Sequence, residues 1–121
     1  MGDELAVAVR SERGAVIAEV AGYIDMSTAA SLRERLFGLV DGGQPLIVEL
    51  NRVTFIDSAG LGALVAVARR AGAHGGSLHA VCSRQQTRKL LWLTGVDRRI
   101  PLTATVDGAL TLLKASRDAP G

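Results

Sequence analysis

One short segment, Leu46 to Leu50, constrains the fold more than any other part of the chain. Its residues Leu-Ile-Val-Glu-Leu are almost continuously apolar, and the helix-breaking stretch Asp41-Gly42-Gly43-Gln44-Pro45 stands directly before it. A run this short and this apolar is typical of a strand that is covered on both faces. The segment is therefore predicted to be the central strand of a sheet on which helices pack.

The start of the chain predicts an antiparallel hairpin. Apolar side chains alternate with other residues from Leu5 to Arg10, which is the period of a strand, and a second alternating run extends from Ala15 to Ala21. The residues between them, Ser11-Glu12-Arg13-Gly14, have the composition of a turn. These two strands are expected to pair with each other.

Apolar residues at helical spacing predict four helices in the rest of the chain. They cover about residues 29–40, with Ser27 or Thr28 as the N-cap, and then residues 61–72, 83–93 and 106–115. A further strand is predicted over Leu78 to Cys82. Because strands then alternate with helices, the class is α/β, with a mixed sheet of four to five strands in which parallel strands follow the hairpin. One domain is expected over 1–121, with its core at about 5–115 and a flexible tail at 116–121.

Composition and charge exclude several classes of protein. The single cysteine, Cys82, cannot form an internal disulfide and is expected to be a small buried residue, and two histidines are few for a metal site. The acidic start Met1-Gly2-Asp3-Glu4 does not resemble a signal peptide, and no apolar stretch approaches the roughly 20 residues that span a bilayer. A cytoplasmic protein without metal, cofactor or membrane attachment is therefore predicted.

The charge of the chain is unevenly distributed. The net charge is +2, but residues 1–60 carry five Lys and Arg against nine Asp and Glu, whereas residues 61–121 carry nine against three. The basic residues come as scattered pairs without aromatic residues between them, which favours solvated helix faces over nucleic-acid binding.

The segment Asp57-Ser58-Ala59-Gly60-Leu61-Gly62 stands where a buried strand and its connection give way to a helix. The first N–H groups of a helix lack partners within it, so such an end attracts anions. A phosphate on Ser58 would bring a charge near −2 to the positive end of the helix, where it is tolerated, and would present a new anion to a partner. The segment therefore suits a binding switch.

The segment also has the residue types of other roles, which its pattern supports to different degrees. In the simplest one, Ser58 or Asp57 caps the helix while Gly60 and Gly62 permit tight packing of helix on sheet. A hydrolase nucleophile elbow would need Gly at the position of Ile56, and neither histidine is linked to Ser58 by any pattern. The dinucleotide-binding and P-loop motifs fail as well, because Val65 replaces the required small residue and no Gly-Lys-Ser/Thr ending is present.

The residues from Val53 to Leu64, Val-Thr-Phe-Ile-Asp-Ser-Ala-Gly-Leu-Gly-Ala-Leu, resemble the signature of the STAS-domain anti-sigma factor antagonist family. Upstream, Gly22-Tyr23-Ile24-Asp25 with Thr28 is similar to the family's pattern before the first helix. Downstream, Leu93-Thr94-Gly95-Val96-Asp97 also agrees. The resemblance covers about residues 5–115 and implies the STAS fold.

The resemblance implies a partner-switching function in regulating transcription, of the kind used in stress response and sporulation. The unphosphorylated protein would bind an anti-sigma factor with serine kinase activity and so free a sigma factor. Phosphorylation of Ser58 would reverse this, and a PP2C-type phosphatase would restore the active form. The chain would then be a substrate and a ligand, with no catalytic residue, and a weak homodimer stays open.

The resemblance also assigns partner-binding residues. They are Asp25, Asp57, Ser58, Ala59, Gly60, Leu61 and Gly62. Within this set Asp57 would hold the loop, the two glycines would let the partner approach closely, and Asp25 could equally be a turn residue ahead of a helix. Ala59 departs from relatives that have a second hydroxyl residue there, which leaves Ser58 as the acceptor of its loop, apart from Thr54.

Two other functions remain as alternatives. The domain could be a scaffold subunit of a larger signalling or lipid-transport complex that needs no phosphorylation, or a small hydrolase or nucleotide-using enzyme acting through Ser58. Trp92, beside three leucines, is expected to be a packing residue, with a dimer or partner surface as the other option.

Overall fold

The computed structural model describes residues 5–119 and contains five strands, four α-helices and one short 3₁₀ helix within them. The strands are β1 (Ala6–Glu12), β2 (Ala15–Ile24), β3 (Leu46–Ile56), β4 (Leu78–Val81) and β5 (Leu102–Thr103). The helices are α1 (Ala29–Val40), α2 (Ser58–Ala73), α3 (Gln85–Leu93) and α4 (Val106–Asp118), and the 3₁₀ helix is Val96–Arg98. The sheet has the order β1-β2-β3-β4-β5, antiparallel between β1 and β2 and parallel elsewhere. The predicted α/β class and mixed sheet are confirmed.

The β1–β2 hairpin turns through only two residues, Arg13 and Gly14. Both have positive φ angles, 50° and 81°, which is the conformation that joins two strands tightly without opposing their twist. Ser11 and Glu12, predicted to belong to the turn, are instead the last residues of β1. The hairpin itself is confirmed.

The apolar run in β3 is buried from both sides. Leu46, Val48 and Leu50 belong to the large core under α1, α2 and α3, while Ile47 belongs to a second core under α4. Because successive side chains of a strand point to opposite faces, each layer takes alternate residues of the run. The predicted central strand, covered on both faces, is confirmed.

Several boundaries differ from the prediction. β3 continues to Ile56 because its pairing with β2 resumes after a bulge, with Tyr23 opposite Phe55. α2 begins at Ser58 rather than near residue 61. At the other end of the chain α4 continues to Asp118, three residues beyond its predicted end, while residues 120–121 of the predicted tail lie outside the described part.

Two further predictions concern single side chains. Cys82 is fully buried in the large core, as expected. Trp92 is not a packing residue: 65% of its surface is exposed. In the stretch 5–119 no helix is both long enough and apolar enough to cross a membrane.

Among residues 5–119, His79 in β4 is the one polar residue that is buried, and only 8% of its surface is exposed. Its Nε2 lies 3.1 Å from the Ser77 hydroxyl, and its Nδ1 has no hydrogen-bond partner among the described residues. Burial lowers the pKa of this imidazole because a charged ring would lose its hydration. The fold therefore favours the neutral form of His79.

Acid is expected to destabilise the protein partly through His79. Below about pH 6.5 the unfolded chain takes up a proton at His79 more readily than the folded chain does. The free energy of unfolding therefore decreases as the pH is lowered. Urea unfolding at neutral and mildly acidic pH measures this loss. This loss should be smaller in His79→Leu than in the wild type. An equal loss in His79→Leu would contradict the assignment.

Candidate functional site

Two loops meet at one edge of the sheet, where the parallel strands β2 and β3 end. Ile24 and Ile56 are partners in the last pair of the ladder, so Asp25 and Asp57 follow side by side. The backbone N–H of Met26 donates to Asp57 Oδ2 at 3.2 Å, which joins the two loops directly. The topology therefore brings together two segments that lie more than thirty residues apart in the sequence.

Asp57 caps α2. Its backbone is extended, and its Oδ1 accepts a hydrogen bond from the Gly60 N–H at 3.0 Å, the usual geometry of an N-cap aspartate. Its own N–H donates to the Ile24 carbonyl at 3.1 Å. Of the two capping residues considered from the sequence, the structure selects Asp57, which leaves Ser58 free of that task.

Ser58 is the first residue of α2 and is exposed. The four N–H groups that a helix start leaves without helical partners are here those of residues 57 to 60. Asp57 and Gly60 use theirs in the bonds just described, so the N–H groups of Ser58 and Ala59 are available to an anion at the helix start. No acidic side chain lies in the first turn to compete for them.

Gly60 is required by the close approach of α2 to the sheet. A Cβ built there would lie 2.6 Å from the Ile24 carbonyl oxygen and 2.9 Å from Cγ1 of Ile56. Gly62 is different, because a Cβ at that position would meet nothing within 4 Å. The expectation that both glycines permit tight packing is correct for Gly60 and wrong for Gly62.

The predicted partner-binding residues of α2 thus face different ways. Ser58 and Gly62 are exposed and Ala59 is half-buried, whereas Gly60 is buried and Leu61 packs in the large core. The binding role of all of them stays a prediction. A partner could reach the Ser58 side chain and the backbone at Gly62, while Gly60 and Leu61 fix where the helix starts.

Asp25 shapes the β2–α1 loop. Its Oδ1 accepts hydrogen bonds from the Ser27 N–H at 2.9 Å and the Ser27 hydroxyl at 2.6 Å. Those bonds, the Ser27 hydroxyl first, lower the pKa of the carboxyl group, because they favour its charged form. Thr28 occupies the N-cap position of α1, but its hydroxyl donates to the Tyr23 carbonyl instead of capping the helix. The turn role considered for Asp25 is therefore present in the structure.

Apolar side chains surround these loops, and the sequence did not predict their exposure. Met26 is 82% exposed and Phe55 is 50% exposed, and the rings of Tyr23 and Phe55 pack edge to face with centroids 6.0 Å apart. A shallow cavity of about 350 Å³ lies among Tyr23, Asp25, Thr54 and Phe55. The bulge in β3 that places Phe55 beside Tyr23 has no sequence signal that would have revealed it.

A comparison with known protein families identifies the domain. The model of the STAS domain matches residues 6–109. The chain belongs to the STAS-domain family. The predicted resemblance is thereby confirmed.

Named relatives of this STAS domain are anti-sigma factor antagonists. It is 31% identical over 116 residues to the anti-sigma-F factor antagonist RsfB of Mycobacterium tuberculosis, covering 95% of this chain and 94% of that one. It is also 31% identical over 104 residues to the anti-sigma-B factor antagonist of Bacillus subtilis, covering 86% and 95%. The crystal structure of an anti-sigma factor antagonist from Mycobacterium paratuberculosis superimposes with a TM-score of 0.84 at 33% identity, covering 94% and 97%. These relatives are regulatory proteins.

Proposed function

We propose that this STAS domain is a cytoplasmic anti-sigma factor antagonist that is switched by a phosphate on Ser58. Its unphosphorylated form binds an anti-sigma factor with serine kinase activity and thereby releases a sigma factor. The kinase ends the interaction by modifying Ser58, and a PP2C-type phosphatase restores it. The observation that carries the proposal is an exposed Ser58 at the start of α2 whose helix is already capped by Asp57.

The hydroxyl groups around the site differ in their availability. The Ser27 hydroxyl is held by Asp25 at 2.6 Å, and the Thr54 hydroxyl donates to the Gly22 carbonyl at 3.4 Å. Within residues 5–119 the Ser58 hydroxyl has no such bond, and Ala59 offers no competing oxygen. Ser58 is therefore the best acceptor for a phosphoryl group on this surface.

The fold can accommodate a phosphate on Ser58, whereas an interface with a partner protein cannot. At the start of α2 the charge lies at the positive end of the helix, beside the N–H groups of Ser58 and Ala59. The exposed apolar side chains of Tyr23, Met26 and Phe55 belong to the same ends of β2 and β3 and to the loop that follows β2. If a partner covers these side chains, it must also bury the phosphate, which is costly without a cation opposite it.

The positions of the two histidines favour a binding function for this protein over a hydrolase function. His79 is buried and bonds Ser77, and Nε2 of His74 lies 3.3 Å from the Asp41 carboxylate. Neither is bonded to Ser58, so neither is placed to activate its hydroxyl as a general base.

Mass spectrometry after incubation with ATP and the cognate anti-sigma factor kinase tests the proposal. We expect one phosphate on wild-type protein, located on Ser58, and none on Ser58→Ala. The matched variants Ser27→Ala and Thr54→Ala should still be phosphorylated. An unmodified wild type, or a phosphate that persists in Ser58→Ala, would refute the switch. A stable multi-subunit particle indifferent to Ser58→Ala would instead support the scaffold function.

A further inference from the structure

A second surface lies on the other side of β4 from the Ser58 site, between α3 and the edge strand β5. It is an open groove of about 460 Å³ that includes an exposed aromatic ring and two cations. The groove is lined by Gln85, Arg88, Lys89, Trp92, Asp97 and Leu102. None of these residues belongs to the Ser58 site.

The aromatic ring in the groove is unusually accessible. Trp92 is 65% exposed and the neighbouring Leu93 is 63% exposed, while Leu91 between α3 and the sheet is buried. Large apolar side chains that are exposed side by side are typical of surfaces that another molecule covers. Tryptophan is also among the residues that contribute most to binding at protein interfaces.

The two cations that line the groove lack acidic partners. Within the described residues, no carboxylate lies within ion-pair distance of Arg88 or Lys89. Arg88 donates instead to the Cys82 carbonyl at 2.8 Å. This bond fixes the Arg88 side chain without neutralising it. The region therefore carries a local positive charge that a negative partner would complement.

The backbone adds a third feature, because β5 is the last strand of the sheet and pairs only with β4. The outer side of the two-residue strand β5 has no strand partner among residues 5–119, and Leu102 of this strand lines the groove. An extended peptide can bond such an edge. A nucleic acid has no backbone suited to that pairing, and its regular phosphates would meet the carboxylate of Asp97.

We propose that the groove between α3 and β5 binds a short acidic segment of a partner protein. The segment lies extended along β5, places an apolar side chain on Trp92 and directs its carboxylates to Arg88 and Lys89. Its backbone N–H groups can approach Asp97. This inference does not depend on phosphorylation of Ser58.

Trp92 is the single tryptophan of the chain, so its fluorescence reports on the groove directly. The probe is a synthetic peptide in which Asp and Glu residues flank a central Leu-Phe pair. We expect it to shift the Trp92 emission to shorter wavelength in a saturable titration, and added salt should weaken binding because the charges are exposed. Lys89→Glu should weaken binding by about fivefold or more. Lys114→Glu, the same charge change at an exposed position of α4, should leave it unchanged.

Control ligands decide whether the occupant is the proposed one. The same peptide with Lys at every acidic position should leave the emission unchanged, and so should single-stranded DNA. An acidic peptide that causes no shift, or one that binds Lys89→Glu as well as wild type, would overturn the proposal. Tighter binding of DNA would also overturn it, as would an emission that shifts with protein concentration alone, which would identify a second copy as the occupant.

Discussion

Gly60→Ala is expected to lower the free energy of unfolding by about 2 to 3 kcal/mol, the usual effect of forcing an extra carbon into a packed interior. The new Cβ would lie 2.6 Å from the Ile24 carbonyl oxygen, which belongs to the backbone of β2 and cannot rotate away. Relief would require α2 to move off the sheet. That movement would also displace Asp57 from the bond that caps the helix.

Gly62→Ala is the matched control for this substitution. It lies two residues further along the same helix, where a Cβ would meet nothing within 4 Å. Because alanine favours a helix over glycine, the control should gain up to about 1 kcal/mol. Urea unfolding followed by circular dichroism measures both variants. Equal stability of the two variants would show that the contact with Ile24 does not constrain the helix start.

Ser58→Asp is expected to reduce affinity for the anti-sigma factor by roughly 100-fold to a few thousand-fold. This prediction rests on the proposed function, in which the partner covers the surface around Ser58. An uncompensated charge buried at an interface costs roughly 3 to 5 kcal/mol, and about 1.4 kcal/mol corresponds to a tenfold change in affinity. The fold should be unaffected, since a carboxylate in the first turn of α2 is electrostatically favourable.

Ser58→Asn is the control, because it matches the shape of Asp without its charge. It should retain affinity within about tenfold of the wild type, since no buried charge is introduced. Titration calorimetry with purified anti-sigma factor measures both variants, and unfolding curves confirm that they fold. If Asn weakened binding as much as Asp, the surface would respond to side-chain size and the electrostatic switch would be incorrect.

The parts of the fold that follow from periodicity were predictable. Leu46 to Leu50 could be assigned to a strand covered on both faces because its residues are almost continuously apolar. The hairpin could be assigned because the turn-like stretch Ser11-Glu12-Arg13-Gly14 separates two alternating runs, although the turn itself is only Arg13 and Gly14. The start of α2 was less predictable. Ser58, Ala59 and Gly60 do not form an apolar helical stripe, so periodicity does not reveal that they are helical. The helix begins there because the Asp57 carboxylate accepts a hydrogen bond from the Gly60 N–H.

The exposed apolar residues were beyond reach of the sequence. Trp92 and Phe55 are large and apolar, and residues of this kind are more often found inside. Their positions depend on tertiary structure: on which side of α3 faces the sheet, and on a bulge in β3 that aligns Phe55 with Tyr23. Pairing irregularities of this kind are decided by contacts between distant segments, which a single sequence does not display.

The carboxylate of Asp57 reaches two backbone N–H groups, one in each loop of the site. Both loops are thereby held before any partner arrives, so association does not require the ordering of a mobile segment, with its entropy loss. Under the proposed function, a surface prepared in this way would exchange partners without refolding. In the proposed cycle, the duration of each regulatory state would then be governed by how fast the kinase adds the phosphate and how fast the phosphatase removes it.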